Sequence, residues 1–378
     1  MHVVMITDFP DDLDHPGGGL EAVVACLTRG LVAQGIELTI VCWGRPFQGV
    51  SLEPELRVPV IGLPRRGPAA LTSWWLTPRE ANRLLRHTKP DVIHVQGLPQ
   101  LFHNPQVPSV LTIHGFPGKT IRIEKRGLSA RIEARLSGTT FRRAIPRYDE
   151  LIAISPYVLE ETEIPNTERT HTIPNPIEYR FFNLRRAPEA DRVLYAGKLS
   201  RLKNIVGLVE AASRVVATRP NTRFRLAGSW QADHREQILA ALERHQLAGH
   251  FDFLGSLERN ELLEEMVRCT CLVLPSFQET SPVVVAEAMA AGIPVAASRV
   301  GGLPWMLETG QNGLLFDPSS REATADAILQ LLVDEELRNR LTRRALGWAH
   351  EHVHVDSVVR RTIGVYEAAC RRRAPGPV

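Results

Sequence analysis

The sequence contains few cysteines, and their spacing suits neither a metal site nor a crosslinked chain. Five occur in 378 residues, an odd number, and they lie in apolar segments: Cys26, Cys42, Cys269, Cys271 and Cys370. This usage is typical of a reducing compartment and excludes a disulfide framework. Cys269 and Cys271 are two residues apart on a predicted strand with no paired histidine or cysteine cluster nearby, so we predict no metal site.

Long apolar runs are also absent. The first ten residues, MHVVMITDFP, carry no basic segment, and Asp8 interrupts their short apolar run. They predict a first β-strand rather than a signal peptide. The longest apolar window, residues 281–298, contains Glu287 and is too short to span a bilayer. We therefore expect a cytoplasmic protein that is soluble or, at most, peripheral at the inner face of the membrane.

Net charge is small, but basic residues are concentrated in one segment. A net charge of +3 does not by itself indicate nucleic-acid binding, and we expect no nucleic-acid partner. Between Lys119 and Arg147, nine basic residues accompany only Glu124 and Glu133, a local balance of +7. The segment forms either a solvated helix face or a surface for an anionic acceptor or anionic lipid headgroups.

Short β-branched runs alternate with helical patterns along nearly the whole chain. Six predicted strands lie in the first half, residues 176–190 interrupt the rhythm, and six more strands follow. Strands separated by helices of about 10–15 residues indicate parallel sheets covered on both faces. We predict an α/β protein with two Rossmann-like, doubly wound domains that face an interdomain cleft, where such sheets bind ligands.

The two predicted domains comprise residues 1–180 and 185–354. Two further helices are predicted near Glu335–Glu351 and Asp356–Arg373, with no strand after them. We expect the last helix, about residues 355–378, to pack back on the first domain.

The stretch HPGGGLEA formally matches the G-x-G-x-x-A dinucleotide fingerprint at Gly17, Gly19 and Ala22. Its context speaks against a nicotinamide or flavin cofactor. Residues 9–16 separate the loop from the first strand, and the next strand ends in VCWGR without the acid that binds a ribose. The glycines still open a helix, whose first N–H groups attract anions, so Gly18 and Gly19 are candidate anion contacts. A flexible surface turn is the alternative.

The stretch YAGKLSRLKN places two amines after a predicted strand. Gly197 ends the strand, Lys198 follows it, and Lys203 stands where the next helix should begin. Two cations at the carboxyl edge of a sheet, beside a residue small enough to admit a ligand, suit a diphosphate. The alternative is a pair of ordinary exposed lysines on a loop.

The stretch FQETSPVVVAEAMAAGIPVAAS combines a helix start with two carboxylates. Ser281 is the predicted N-cap and Pro282 the first helical residue, so the free N–H groups there, including that of Val283, add a second anion site. Glu279 precedes the helix, and Glu287 lies about a turn and a half inside it. Carboxylates repel phosphate but accept hydrogen bonds from vicinal hydroxyls, which predicts contacts to a ribose or a sugar ring. An ion-paired or capping residue is the alternative for Glu287.

At these residues the chain resembles the family 4 retaining glycosyltransferases, which have the GT-B fold. That family carries an E-x7-E motif, and Glu279 and Glu287 match it. Its G-R-L-x-x-x-K-G pattern matches at Gly197 and Lys203, but Lys198 stands where arginine is usual and Asn204 where glycine is usual. A lysine neutralises phosphate but cannot form a bidentate fork, so we expect donor affinity or orientation to differ.

The resemblance extends along the whole chain. The remaining matched positions are Gly17, Gly18, Gly19, His114, Gly115, Pro174, Asn175, Leu199, Gly301, Gly302, Gly313 and Leu315. It implies that the first domain binds the acceptor and that the second binds a nucleoside-diphosphate sugar.

The resemblance also implies roles for single residues. Glu287 would hold the donor ribose, and Glu279 the hydroxyls of the transferred sugar. Lys198 and Lys203 would neutralise the diphosphate, helped by N–H groups near Ser281, with Pro282 excluded as a donor. Backbone contacts to the base would come from AGSW and LGSL, which contain Gly228 and Gly255.

His114 would lie near the reacting carbon of the sugar, unless it is a strand-end histidine bonded to backbone. The resemblance implies retention of anomeric configuration and no metal cofactor, since the lysines and a helix end carry the balancing charge. No nucleophile stands out in the sequence, so the leaving phosphate is expected to help deprotonate the acceptor.

The acceptor and the exact activity remain open at this stage. Trp74 and Trp75 are adjacent, so one is expected at a surface, where it stacks on an acceptor or packs under a loop. The acceptor is a sugar, a natural product or a lipid. The rival functions are a GT-B epimerase, hydrolase or phosphorylase and a non-catalytic nucleotide-sugar-binding partner protein.

Overall fold

The computed structural model describes residues 1–43, 49–53, 55–63, 88–97, 106–124 and 127–374. The chain divides into two compact units. Unit 1 contains Met1–Arg122, Gly127–Pro176 and Val355–Val378, and unit 2 contains Ile123–Arg126 and Ile177–His354. The boundary thus lies slightly before residue 180, where the sequence analysis placed the end of the first domain.

Elements are numbered along the described residues. The strands are β1 His2–Thr7, β2 Glu37–Trp43, β3 Gly49–Leu52, β4 Pro59–Leu63, β5 Val92–Gln96, β6 Ser109–Ile113, β7 Glu150–Ala153, β8 Thr170–Thr172, β9 Arg192–Ala196, β10 Arg223–Ala227, β11 Phe251–Gly255, β12 Cys271–Leu274, β13 Val295–Ser298 and β14 Leu314–Phe316. The helices are α1 Gly19–Ala33, α2 Pro117–Glu124, α3 Leu128–Ala144, α4 Pro156–Thr162, α5 Tyr179–Phe182, α6 Ile205–Thr218, α7 Ala232–Arg244, α8 Arg259–Arg268, α9 Val283–Ala290, α10 Leu303–Met306, α11 Arg321–Val333, α12 Glu335–His352 and α13 Val355–Arg373. None of these helices is long and apolar enough to cross a membrane.

In its described residues, unit 1 contains an eight-stranded sheet of order β3-β4-β2-β1-β5-β6-β7-β8. Neighbouring strands pair in parallel except β3, which runs antiparallel to β4. Each of the six strands predicted for this half is present, which confirms the predicted parallel sheet. Strands β3 and β4 were not predicted, because β3 has only four residues and β4 contains Pro59 and Gly62, which are uncommon inside strands.

The last helix, α13, packs on unit 1. Gly30 of α1 lies against it so closely that a Cβ there would come 2.5 Å from a methyl group of Val359. On the same helix, the hydroxyl of the fully buried Tyr366 lies 2.7 Å from Nδ1 of His94 in β5. Unit 1 is therefore completed by residues that follow unit 2 in the sequence.

Unit 2 contains a wholly parallel sheet of six described strands, in the order β11-β10-β9-β12-β13-β14. All six strands predicted for this half are present. The chain adds strands on one side of β9 and then, from β12, on the other side. In doubly wound sheets ligands bind at the carboxyl ends of the strands beside this reversal, so the ends of β9 and β12 are where a site is expected.

The hydrogen bond between Tyr366 and His94 gives a test of how α13 stabilises unit 1. Tyr366→Phe removes the hydroxyl and leaves Nδ1 of a fully buried histidine without this partner. We expect a loss of about 1–3 kcal/mol in the free energy of unfolding, measured by chemical denaturation. Tyr179→Phe, at a half-exposed tyrosine of unit 2, is the control; equal effects in both variants would contradict the prediction.

Candidate functional site

Three of the predicted glycines lie at the carboxyl ends of neighbouring strands in unit 2. Gly197 follows β9, Gly228 follows β10, and Gly255 ends β11. The N–H of Gly228 donates to the carbonyl oxygen of Gly255 at 2.7 Å. A Cβ at Gly228 would lie 1.9 Å from the carbonyl oxygen of Gly197, so no side chain fits there. The three backbones form one bare edge that a ligand can approach closely.

Lys198 lies at the same edge. The hydroxyl of the buried Tyr195 donates to its carbonyl oxygen at 2.9 Å, while the lysine side chain is exposed. The hydrogen bond from Tyr195 therefore fixes the loop backbone, and the ammonium group stays in solvent, where it can reach an anion.

Lys203 and Glu279 form an ion pair in which Nζ donates to Oε1 at 2.6 Å. The hydroxyl of Ser276 donates to the same oxygen at 2.6 Å, and Glu279 is only 7% exposed. Burial raises the pKa of Tyr195 well above its usual range, and the Glu279 carboxylate raises it further. The carboxylate thus lies near the end of β9, so the structure brings two of the predicted residues together.

Asn204 accounts for one departure from the family pattern. It follows the short 3-10 helix Arg201–Lys203 with φ 54° and ψ 42°, a left-handed conformation. Glycine adopts this conformation freely, and asparagine is one of the few residues that tolerate it. Its Nδ2 also donates to the carbonyl oxygen of Pro318 at 3.0 Å. Asparagine therefore fits at a position where glycine is usual.

Helix α9 begins one residue later than the sequence indicated. Pro282 is its N-cap and Val283 its first residue, so the assignment of Ser281 as N-cap was wrong. Pro282 has ψ 120°, which keeps it out of the helix, and the hydroxyl of Ser281 lies 3.9 Å from the sulfur of Met306 instead. The first helical hydrogen bond is donated by Val285 to Pro282. The N–H groups of Val283 and Val284 come before it, as at any helix start.

Glu287 lies on the second turn of α9 and is 4% exposed. Its Oε1 accepts a hydrogen bond from Nη1 of Arg259 at 2.7 Å, and Nη2 of the same arginine donates to Oε1 of Glu178 at 3.0 Å. Burial raises the pKa of Glu287, the Arg259 guanidinium opposes this rise, and Glu178 adds to it. The structure therefore places Glu287 in an ion pair, which was the alternative to a hydroxyl contact, and any ribose would be an additional partner.

His114 lies in unit 1, directly after β6; it is partly buried and contacts a chain of buried polar groups. Its Nε2 is 2.6 Å from Oε1 of Gln96, whose Nε2 is 3.3 Å from Nε2 of His94. The second contact of His94 Nε2 is the hydroxyl of Thr112, at 2.7 Å. Because an amide oxygen only accepts, His114 carries its proton on Nε2 in this arrangement. Burial lowers the pKa of His114 to about 4 and that of His94 to about 3, so both rings are neutral near pH 7.

Gly18 and Gly19 lie in unit 1 at the start of α1. Gly18 is the N-cap and Gly19 the first helical residue, as the glycine loop indicated. The N–H of the preceding Gly17 donates to the Glu21 carboxylate at 2.5 Å. A carboxylate therefore already holds one N–H of the loop, and the anion contact of Gly18 and Gly19 stays a prediction.

Four residues of these networks were not predicted from the sequence: Arg259, Ser276, Glu178 and Gln96. Arg259 had a recognisable signal, because it comes two residues after LGSL, at the end of a predicted strand, and so had to lie at the same edge as Lys198. Glu178 lies close to the matched positions Pro174 and Asn175, and Gln96 ends a predicted strand, but the partners of both are distant in sequence. Trp74 and Trp75 lie outside the described residues. Within those residues no group of three or more metal-ligating side chains could hold an ion.

Two family models match the chain. The model of Glycosyltransferase Family 4 matches residues 17–181, and that of Glycosyl transferases group 1 matches residues 177–348. The chain belongs to glycosyltransferase family 4. It is an enzyme family, and the chain is accordingly a glycosyltransferase.

Known proteins similar to this family 4 chain have different names. A D-inositol 3-phosphate glycosyltransferase from Acidothermus cellulolyticus is 28% identical, over 98% of this chain and 91% of that protein. Sucrose-phosphate synthase from Thermosynechococcus elongatus has a similar structure, with a TM-score of 0.78, 20% identity, and coverage of 97% of this chain and 98% of that one. HepE of Anabaena, solved with UDP and glucose, has a TM-score of 0.71 and 18% identity over 97% and 100%. These likenesses establish the GT-B fold of two Rossmann-like domains.

The pairing of Glu287 with Arg259 can be tested by removing the cation. Arg259→Leu leaves the buried Glu287 carboxylate without its cation, while Glu178 keeps Arg180. We expect a loss of about 3–5 kcal/mol in the free energy of unfolding. Arg268→Leu, at the other end of α8, is the matched control because its ion pair with Glu189 is exposed. Chemical denaturation of both variants measures the difference, and a change as small in Arg259→Leu as in the control would rule out a structural role for the pair.

Proposed function

We propose that this glycosyltransferase moves a sugar from a nucleoside-diphosphate donor to an acceptor hydroxyl with retention of anomeric configuration. The observation that carries the proposal is the Lys203–Glu279 ion pair beside the bare glycine edge of unit 2. It combines a cation for a diphosphate, a carboxylate for hydroxyls and backbone that a ligand can approach. UDP and glucose in the HepE structure support a nucleotide-sugar donor.

In the proposed donor complex, Lys203 neutralises the diphosphate without leaving Glu279. An ammonium group has three N–H donors, so one can stay on Oε1 while the others bind phosphate oxygens. Lys198 and the N–H groups at the start of α9 supply further positive charge. Because two donors already hold Oε1 of Glu279, we assign its Oε2 to the hydroxyls of the transferred sugar.

Glu287 is assigned to the donor ribose. A carboxylate has two oxygens with about four lone-pair sites, so Glu287 can keep Arg259 and still accept from vicinal hydroxyls. The guanidinium then serves as a positioning group that orients this carboxylate and opposes the rise in its pKa that burial causes. The backbones at Gly228 and Gly255 are assigned to the base, and those of Gly18 and Gly19 to the diphosphate.

His114 is assigned to the sugar near its reacting carbon. Its neutral ring donates or accepts a hydrogen bond without adding a charge that would oppose oxocarbenium character at that carbon. No protein nucleophile is assigned, and the leaving phosphate takes the acceptor proton. We propose that the reaction needs no metal ion, because the lysines and the helix start stabilise the leaving group. The acceptor is assigned to unit 1.

Binding of the donor can be tested without knowing the sugar. A thermal-shift panel of UDP, GDP, ADP and TDP should show stabilisation by at least one of them, since a ligand at 100 times its Kd adds about 2.7 kcal/mol. Glu287→Ala should weaken the shift, whereas Glu336→Ala, at an exposed position of α12, should not. If no nucleotide raises the melting temperature at millimolar concentration, the donor site is wrongly assigned.

Turnover separates a transferase from a binding protein. Slow hydrolysis of the matching nucleotide sugar should release the nucleoside diphosphate, and NMR of the first-formed sugar product should show the anomeric configuration of the donor. We expect His114→Ala to lower the rate by at least tenfold while the nucleotide-induced thermal shift remains. His2→Ala, at the opposite end of the unit 1 sheet, is the control. An inverted product would exclude retention, and binding without release would favour a non-catalytic protein.

A further inference from the structure

Helix α3 in unit 1 has its small residues buried and its large aliphatic residues exposed. The buried side consists of small residues and one aromatic: Ala130, Ala134, Gly138, Ala144 and Phe141. The exposed side carries Leu128, Ile132 and Leu136, which are 74%, 53% and 62% exposed. A surface helix normally shows the reverse arrangement, with its large apolar residues toward the core.

The rotation of α3 about its own axis is fixed by the packing of its buried side against Phe116. A Cβ at Gly138 would come 2.7 Å from the ring of Phe116, and that ring contacts Phe141 edge-on at 5.9 Å. Turning the helix to bury its aliphatic residues would replace glycine and alanine by leucine in this tight contact. The outward position of the three aliphatic side chains is therefore set by the packing of the helix.

The three aliphatic side chains form a continuous row. Their spacing of four residues places them on successive turns of one face, over a length of about 12 Å. One exposed leucine is ordinary, but an aligned row of three is characteristic of a surface that binds another apolar phase.

Unpaired arginines accompany this row. Arg131 and Arg135 lie beside it, three residues after Leu128 and Ile132, and Arg143 continues the same face two turns later. All three are exposed, and within the described parts of the chain none of them makes an ion pair. Other cations of the basic segment are used internally, since Lys119 is paired with Glu161 and Arg142 with Glu163.

We propose that this surface, the α3 outer face (Leu128, Ile132, Leu136, Arg131, Arg135 and Arg143), docks on an anionic lipid bilayer. The aliphatic row enters the boundary between headgroups and acyl chains, and the arginines bind lipid phosphates, as in helices that lie in the plane of a membrane interface. The excess of unpaired positive charge selects this occupant, because an apolar partner protein would not need it. The inference does not depend on the proposed transferase chemistry.

The test is flotation of the full chain with vesicles of phosphatidylcholine alone and of phosphatidylcholine with phosphatidylglycerol at 7:3. We expect binding to the anionic vesicles only, weakening as salt rises from 50 to 500 mM. L128S/I132S/L136S should lower the partition coefficient by roughly a hundredfold. R131Q/R135Q/R143Q should lower it by about fivefold per charge removed. Equal binding to neutral vesicles, or no binding to either, would overturn the proposal.

Matched controls come from unit 2. L239S/V333S removes two exposed aliphatic residues and R340Q/R343Q two exposed arginines, and neither should change vesicle binding. Circular dichroism and melting of each variant establish folding.

Full vesicle binding by the folded triple-serine variant would refute the α3 outer face as the docking site. Light scattering tests a second copy of the chain as the occupant. Self-association of the wild type but not of the triple-serine variant, without vesicle binding, would identify that second copy and refute the bilayer. Nucleotide-induced thermal shifts are measured separately. A failure to bind vesicles therefore does not affect the donor-site proposal.

Discussion

Two carboxylates buried at one edge of a sheet set the requirements for the rest of unit 2. A charge removed from water has to be compensated by a partner held in good geometry, and removing that partner costs far more than the pair contributes. Glu279 has Lys203 and Ser276, and Glu287 has Arg259, which Glu178 holds from the other side. The loops after β9, β11 and β12 are thereby tied together. An arrangement that only stabilised the fold would need no charge here, since apolar residues of similar size would serve as well.

The sequence was sufficient to predict the two parallel sheets, because β-branched runs and helical spacing repeat locally along the chain. It was also sufficient to place Gly197, Lys203 and Glu279 at one edge, since parallel strands bring all their carboxyl ends to the same side. The start of α9 was misplaced by one residue because Ser281 and Pro282 both suit a helix start, and only the backbone angles of Pro282 distinguish them. Arg259 was missed because nothing local links it to Glu287, which follows 28 residues later.

In unit 1, too, contacts between residues distant in sequence could not be predicted. His94 and Tyr366 are 272 residues apart and yet share a hydrogen bond inside one core. A strand histidine with an unknown partner cannot be assigned a tautomer or a pKa from sequence. The aliphatic row of α3 could be predicted from the sequence, because its four-residue spacing is visible there. Its exposure to solvent could not be predicted. An apolar row in a helix is usually evidence of a core, and only the fit of Gly138 against Phe116 shows that this one points outward.

The way the chain returns to unit 1 has a consequence for its synthesis. Nearly all of unit 2 is the single segment Ile177–His354, whereas unit 1 receives α13 only after this segment has been made. On the ribosome, the amino-terminal sheet is therefore the later of the two to mature, contrary to the usual order in which domains form as they emerge. During that interval, the groove that α13 will fill is an apolar surface beside Gly30 with the polar ring of His94 inside it. A nascent chain of this design has an extended period in which a chaperone could bind that groove.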